Sequence, residues 1–353
     1  MFSSGKSLPE LLSYTHPVFF YYSYSIESSK KILEKQMLRS TLKTFSAAIA
    51  VMLFSLPVFS WDDTGHKITG YIAWQRMNPK AREAVIRILR AAPEESHIAT
   101  FYVVYGPKSE EQKQLEYFMF MPTWADVVRD RSFPVRYEKF HRGDWHYKSE
   151  FWRRVNGQVE MNVEKKADGQ ATEKLAEFDK AMRNPSLSNG EKAVAIAWFL
   201  HIGGDIHQPL HTSSRQTDVE PNGDVGGNTF QLTPEGTKRE DQLNLHWFWD
   251  SIVGRNVPYR DEMSEFHYLR AVAEAMMTRY PHDNRSSLLF LGDYEKWKTE
   301  SFFLATTEVF NDELKRFVIP GDRYLRNAYR VSEERLAMAG YRMGDTLNDI
   351  FGK

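Results

Sequence analysis

The chain has 353 residues, with 46 basic and 47 acidic side chains, a formal net charge of -1, 42% hydrophobic residues and 14% aromatics. This composition supports a large core in one domain or two tightly joined ones. It excludes a protein that holds nucleic acid mainly by bulk positive charge, though not an enzyme that grips phosphates through metals. Cysteine is absent, so a disulfide framework and a thiolate metal site are both ruled out.

Residues 1–36 mix Ser, Tyr and Lys without a sustained period. Residues 37–60 (MLRSTLKTFSAAIAVMLFSLPVFS) begin with Arg39 and Lys43 and are mostly apolar over 45–57. Val58 and Ser60 then sit three and one positions before a cleavage point, the pattern of a secretory signal peptide. With Met37 as the start, residues 1–36 are an upstream extension; otherwise they are an unusually long basic region. A single membrane anchor is the competing reading, and the short apolar core counts against it. Cleavage after Ser60 makes Trp61 the first mature residue and leaves 40 basic and 44 acidic side chains. The expected product is secreted or periplasmic, with no stable membrane association.

Residues 61–353 are expected to form one domain. WDDTGHKITGYIAWQRM (61–77) predicts a helix from near Thr64, with His66 in its first turn. PKAREAVIRILR (79–90) has Pro79 at the first helical position and Val85, Ile86 and Leu89 as an apolar stripe. MPTWADVVRDR (121–131) has Pro122 near a helix start, then Trp124 and Asp126. The local structure of 141–152 is left open, and 156–170 is a surface loop or short hairpin. Helices are predicted over 169–182 and 191–205, and a glycine-rich loop over 217–232. Further helices follow at 244–254, 262–280 and 293–316, with 322–349 broken or shared between two. Strand-like alternation is scarce, so the class is all-α.

The eleven residues HIGGDIHQPLH (201–211) stand out. They follow the apolar run AVAIAWFL (193–200) and hold His201, Asp205, His207 and His211. A helix puts His201 and Asp205 on one face, and the same four-residue spacing recurs at His246 and Asp250. His66 and His146 also lie among glycines, aromatics or aspartates. Any one of these histidines is more often a packed core residue than a ligand. Two His-x3-Asp pairs together point to a multinuclear zinc site, because imidazoles and carboxylates in a core need a cation to offset their desolvation. His97 and His282 lie in polar turns and read as surface residues, and His267 is an ordinary helical residue.

Taken together, these motifs resemble the zinc-dependent S1/P1 nuclease family over residues 61–349. The matching marks are W-x4-H (Trp61, His66), TWAD (Asp126), DWHY (His146), HIGGDIHQPLH, the GGN turn (Gly226, Gly227, Asn228), NLHWFWD, W-x2-E-S (Trp297, Glu300, Ser301) and the AGYRM…LN ending. The resemblance implies a single mainly helical domain of the phospholipase C/P1 nuclease type holding three Zn2+ ions. Asp126, His146, His201 and Asp205 would hold one. The backbone amine and carbonyl of Trp61, with His66 and a bridging Asp205, would hold the second. His211, His246 and Asp250 would hold the third. His207 matches no ligand and reads as a neighbour of the site or a packed residue.

The implied activity is hydrolysis of single-stranded DNA and RNA to 5′-phosphate products, with removal of 3′-phosphates from 3′-nucleotides, by a monomer. Asp126, Asp205 and Asn228 are the implied catalytic residues. Tyr147 and Asn228 are the candidate substrate contacts, and Tyr102, Phe120 and Trp145 are further candidate stacking platforms. The rival reading is a zinc-dependent phospholipase C. Its third site typically carries glutamate where Asp250 stands, and the GGN turn also favours the nuclease.

Overall fold

Side-chain caps set where many of the helices begin. Asp62 accepts from Gly65 N, opening α1 (Asp63–Arg76); Asn78 accepts from Ala81 N, opening α2 (Pro79–Leu89); Ser109 accepts from Gln112 N, opening α3 (Glu110–Phe120). A cap of this kind contributes about 1 kcal/mol. The computed structural model describes residues 61–260 and 262–353, so the extension and signal peptide expected within 1–60 lie outside the described residues. Among the described residues no helix is long and apolar enough to cross a membrane.

Short helices α4 (Trp124–Val127) and α5 (Pro134–Phe140) lead into a small sheet. Strands β1 (Glu150–Val155) and β2 (Gln158–Met161) form an antiparallel hairpin. Asn156 and Gly157 lie between them at φ 49 and 80, the left-handed pair that a two-residue hairpin turn requires. Strand β3 (Ser213–Arg215) pairs parallel with β1, giving the order β2-β1-β3. This pairing aligns the segment after His146 with the segment after His211, and Lys148 N donates to His211 O at 2.9 Å.

Helices α6 (Ala171–Arg183) and α7 (Asn189–Asp205) pack together. A capping box of Ser188 and Glu191 starts α7. From Ala195 onward every residue of α7 is buried, so it is a core helix rather than an amphipathic one. It stops before Gln208, because the proline at 209 disfavours helical geometry in the residue ahead of it.

The rest comprises α8 (Leu245–Asp250), α9 (Ile252–Asn256), α10 (Glu265–Arg279), α11 (Tyr294–Leu304) and α12 (Asp322–Phe351). Three of these differ from expectation. The helix expected over 244–254 is two short ones, α8 and α9, parted at Ser251. The helix expected over 293–316 ends at Leu304 and passes into a π turn at Ala305–Val309. The hydroxyls of Thr306 and Thr307 both donate to Phe303 O, offering the backbone an alternative to helical bonding. The last segment is one helix of 30 residues, not two. Its glycines look like breakers but are contact residues where α12 lies along α1. A Cβ on Gly340 would sit 2.5 Å from Ile72 Cβ, and one on Gly344 would sit 2.6 Å from Ala73 O.

Gly340→Val is therefore expected to destabilise the protein by about 2–3 kcal/mol, because neither Ile72 nor the α1 backbone can move aside. Gly254→Ala in α9, where a Cβ meets nothing within 4 Å, should be neutral or slightly stabilising. Urea unfolding of both variants checks this; equal midpoints would refute the close-approach account.

Candidate metal centre

The buried end of α7 carries His201 and Asp205 one turn apart, both fully buried. His201 Nδ1 donates to Pro122 O at 2.5 Å, which fixes the tautomer and aims Nε2 inward. That Nε2 lies 3.0 Å from Asp205 Oδ2, 2.7 Å from His146 Nδ1 and 3.9 Å from Asp126 Oδ1. His146 Nδ1 in turn lies 3.1 Å from Asp205 Oδ2. On the other side, His66 Nε2 lies 3.2 Å from Asp205 Oδ1, and the His66 ring stacks on His201 with centroids 4.3 Å apart. The two oxygens of Asp205 thus face different histidines.

A second constellation lies beyond it. His211 Nδ1 donates to His146 O at 2.8 Å and His246 Nδ1 donates to Gly226 O at 2.7 Å. Both rings therefore turn Nε2 toward Asp250, at 3.9 and 3.4 Å. Imidazoles that bind metals typically anchor their other nitrogen in this way. Gln208 Nε2 donates to Asp250 Oδ1 at 2.7 Å and its own oxygen accepts from Leu210 N, which locks the carboxylate.

The side chains form three groups whose ligand atoms converge to within 4.8 Å: His66, His201 and Asp205; Asp126, His146 and His201; and His211, His246 and Asp250. They contain all eight side chains predicted as ligands. Their electrostatics favour bound cations. Burial and the neighbouring acids push Asp250 well above the usual carboxylate range, against its bond from Gln208. Burial, then Arg129, pushes His146 down to about 3. For Asp205, burial acts upward, but His201, His211 and the imidazole hydrogen bonds hold it well below its ordinary value. Among the described residues, His146 Nε2, His211 Nε2 and Asp250 Oδ2 are buried and make no hydrogen bond. Each such atom costs roughly 1–3 kcal/mol when unsatisfied. The donor set of nitrogen and carboxylate oxygen fits a transition metal.

Trp61 is fully buried, and its indole donates to Gly204 O at 3.1 Å, one residue before Asp205. Asp62 N donates to Asp250 O at 3.2 Å. The opening segment is thereby tied to the ends of both helices that carry the candidate ligands.

His207 is fully buried and uses both ring nitrogens away from the clusters. Nδ1 donates to Gly203 O at 2.7 Å and Nε2 accepts from Arg342 at 2.8 Å. Burial and two neighbouring arginines hold the ring neutral. Arg342 and Arg335 both bind Glu300, while Arg335 reaches Ser301, whose hydroxyl donates to Ile206 O at 2.6 Å. The W-x2-E-S motif thus braces the back of HIGGDIHQPLH.

A cavity beside the third group is lined by Tyr147, Asp168, His211, Val225, Asn228 and His246, among others. Asn228 Nδ2 donates to Val225 O within its own turn. Gly226 (φ 62) cannot carry a side chain, since a Cβ would lie 2.6 Å from Leu210 O. The other proposed platforms do not line this cavity. Tyr102 packs edge-on to Tyr117, Phe120 stacks on Phe101, and Trp145 packs on Trp198.

Sequence reasoning passed over four contributors. Arg129 lies 3.0 Å from Asp126 and 3.1 Å from His146, and its i,i+3 spacing from Asp126 was the available signal. Gln208 had no signal beyond its place between two histidines. Asp168 reaches the cavity through a bridge to Ser149. Asp224, pushed up by burial to about 7, anchors the glycine turn by accepting from Arg215 N. Neither His97 nor His282 is a bare surface residue: His97 packs edge-on against Phe133, and His282 pairs with Asp345 at 2.7 Å.

The S1/P1 Nuclease family description matches residues 61–352. The chain belongs to the S1/P1 nuclease family. It is 25% identical to Endonuclease 2 of Arabidopsis thaliana over 85% of this chain and 94% of that one. It is 22% identical to Nuclease P1 of Penicillium citrinum over 83% of this chain and 98% of that one. With Endonuclease 5 of Arabidopsis thaliana it shares 29% identity, over 44% of this chain and 51% of the relative. As an S1/P1-family protein it carries the hydrolase and metal-binding character of the group.

Gln208→Leu is expected to weaken metal binding at the third group about 10- to 100-fold, because Asp250 loses its orienting bond. Chelator titration should then strip one metal earlier than the others. Release identical to that of the unsubstituted chain would remove Gln208 from the site.

Proposed function

We propose that this chain is a secreted, zinc-dependent endonuclease that hydrolyses single-stranded DNA and RNA to 5′-phosphate products and removes 3′-phosphates from 3′-nucleotides. The observation that carries the reading is the set of three convergent His/Asp groups, two of them sharing His201, beside a cavity lined by an aromatic ring and polar side chains. The proposed holders are Asp126, His146, His201 and Asp205 for one zinc; Trp61, His66 and Asp205 for the next; and His211, His246 and Asp250 for the third. When bound, zinc supplies Lewis-acid charge to phosphoryl and leaving oxygens and lowers the pKa of water.

The chain's own groups supply the rest. Asp205 turns one oxygen toward His66 and the other toward His146 and His201, so it would hold both zincs of the pair beside the attacking water. Asp126 helps to orient that water, and the Arg129 guanidinium beside it contributes positive charge toward a phosphoryl oxygen. Tyr147 forms a wall against which a base stacks, and Asn228 contacts the phosphate or sugar. A nucleotide whose base occupies that cavity brings the 3′-oxygen of its sugar toward His211 and His246. The bond broken is then the one to the 3′-oxygen, and the phosphate stays on the 5′-oxygen of the following nucleotide. A base must leave its duplex to enter, which selects unpaired strands.

The signal peptide over 37–60 belongs to this reading, because removing it frees the Trp61 amine. N-terminal sequencing and zinc analysis of the exported protein, with hydrolysis of single-stranded DNA, test the proposal. Three zincs, a Trp61 start and 5′-phosphate ends are expected; robust release of phosphatidylcholine headgroups with inert polynucleotide would overturn it.

Asp205→Asn should lower turnover by more than roughly 100-fold and reduce zinc content at both sites of the pair. Near-normal activity is incompatible with bridging. One residue added before Trp61 should lower zinc content and activity together. If neither changes, the amine is not a ligand.

A further inference from the structure

The segment from Arg129 to Arg142 carries five basic side chains against two acidic ones, although residues 61–353 as a whole are acidic. Within it, Phe133, Tyr137 and His141 follow at four-residue steps, along the single face that α5 and its two ends present. Such a stripe usually faces a core. Here none of the three joins the apolar core, and Phe133 is 44% exposed. The Tyr137 and His141 rings stack with centroids 4.7 Å apart and 22° between planes. The Arg131 guanidinium lies 5.3 Å from the Tyr137 centroid, and its Nη2 donates to the Tyr137 hydroxyl at 3.4 Å. His141 Nδ1 is buried and makes no hydrogen bond among the described residues.

This ridge is continuous with the candidate site. At its inner end Arg129 touches both Asp126 and His146. Burial, followed by Arg129, Arg142 and Arg131, lowers the His141 imidazole, with Asp126 opposing, so the ring lies within the field of the site. The cavity with Tyr147 and Asn228 adjoins His211 and His246, the other group of ligands.

We propose that Arg131, Phe133, Tyr137 and His141 form a binding ridge for single-stranded nucleic acid on the 5′-phosphate side of the cut. The assignment of a side rests on the nuclease reading above. If the base before the cut occupies the cavity, the strand after it leaves past Asp126 and Arg129 and reaches the ridge. The seven residues of α5 span about 10 Å, room for roughly three bases stacked 3.4 Å apart. Arg136 lies 4.3 Å over the Phe133 ring and His141 stacks on Tyr137, so a base meets the ring surface these neighbours leave exposed. Aromatic surface takes any base, and arginine answers the phosphates, so the ridge adds affinity without sequence preference.

The test uses the mature, zinc-loaded chain and a fluorescent single-stranded 12-mer with phosphorothioate linkages, followed by anisotropy across a salt series. Arg131→Gln is expected to flatten the slope of log affinity against log salt by about 0.7, the loss of one phosphate contact. Tyr137→Leu is expected to weaken binding roughly fivefold or more at unchanged slope. In turnover, both variants should raise KM for an oligonucleotide and leave a 3′-mononucleotide unaffected, since it has no strand beyond its phosphate. Unchanged affinity and slope in both variants would overturn the ridge, as would an equal loss on the mononucleotide. If the zinc-loaded chain cleaves no nucleic acid, the nuclease reading falls, and the anisotropy titration still decides the ridge.

Discussion

The fold is organised around a single expensive act, the burial of the Asp205 carboxylate among imidazoles at the end of a core helix. Asp205, His66, His146 and His201 are all essentially inaccessible to solvent. His201 Nε2 and His146 Nδ1 approach within 2.7 Å of each other and both face the same carboxylate oxygen. Without a cation, such a cluster needs a shared proton or an uncompensated charge in low dielectric. A bound metal removes both penalties. The hydrogen bonds from His201, His211 and His246 to the carbonyls of Pro122, His146 and Gly226 then make sense as one device repeated three times. Each spends one ring nitrogen on the backbone so that the other points at the cluster.

A cluster of this kind also has to resist collapse, and its support comes from behind. His207, between the two ligand-bearing ends of HIGGDIHQPLH, is held by Arg342 from α12. Arg342 and Arg335 converge on Glu300 in α11, and Arg335 also bonds to Ser301. Two buried guanidiniums on one carboxylate carry a net positive charge, which keeps His207 neutral and able to accept. The close glycine-mediated approach of α12 to α1 allows the same helix to brace α7 and contact the helix carrying His66. Fold and site are thus coupled through α12, which contributes no candidate ligand.

What the sequence disclosed follows from the range of each interaction. His201 with Asp205 and His246 with Asp250 were legible because helical spacing is local, and Pro79 at the start of α2 was legible for the same reason. His207 and His211 look equivalent in the sequence, yet one braces and the other joins a ligand group. The difference lies with Arg342, 135 positions away, and no local pattern encodes that. The β1–β3 pairing was hidden too, because β3 has three residues and its partner lies in a segment whose aromatics obscure alternation. Gly340 and Gly344 show the opposite case: their helix cost is local and visible, and their packing gain against Ile72 and Ala73 is neither.

Trp61 ties these threads together. Its ring is anchored to Gly204 at the end of α7, and the next residue is bonded to the carbonyl of Asp250 at the end of α8. Under the proposed processing, the new α-amine would arise at a fully buried residue between the two halves of the centre. An α-amine titrates near 7.7–8.0 in water. Burial and nearby cations both lower that value, because each disfavours a further positive charge. Under the proposal that this amine is a ligand, removal of the segment before Trp61 would be the step that completes the centre, because the residue it exposes is already seated against Gly204 and Asp250.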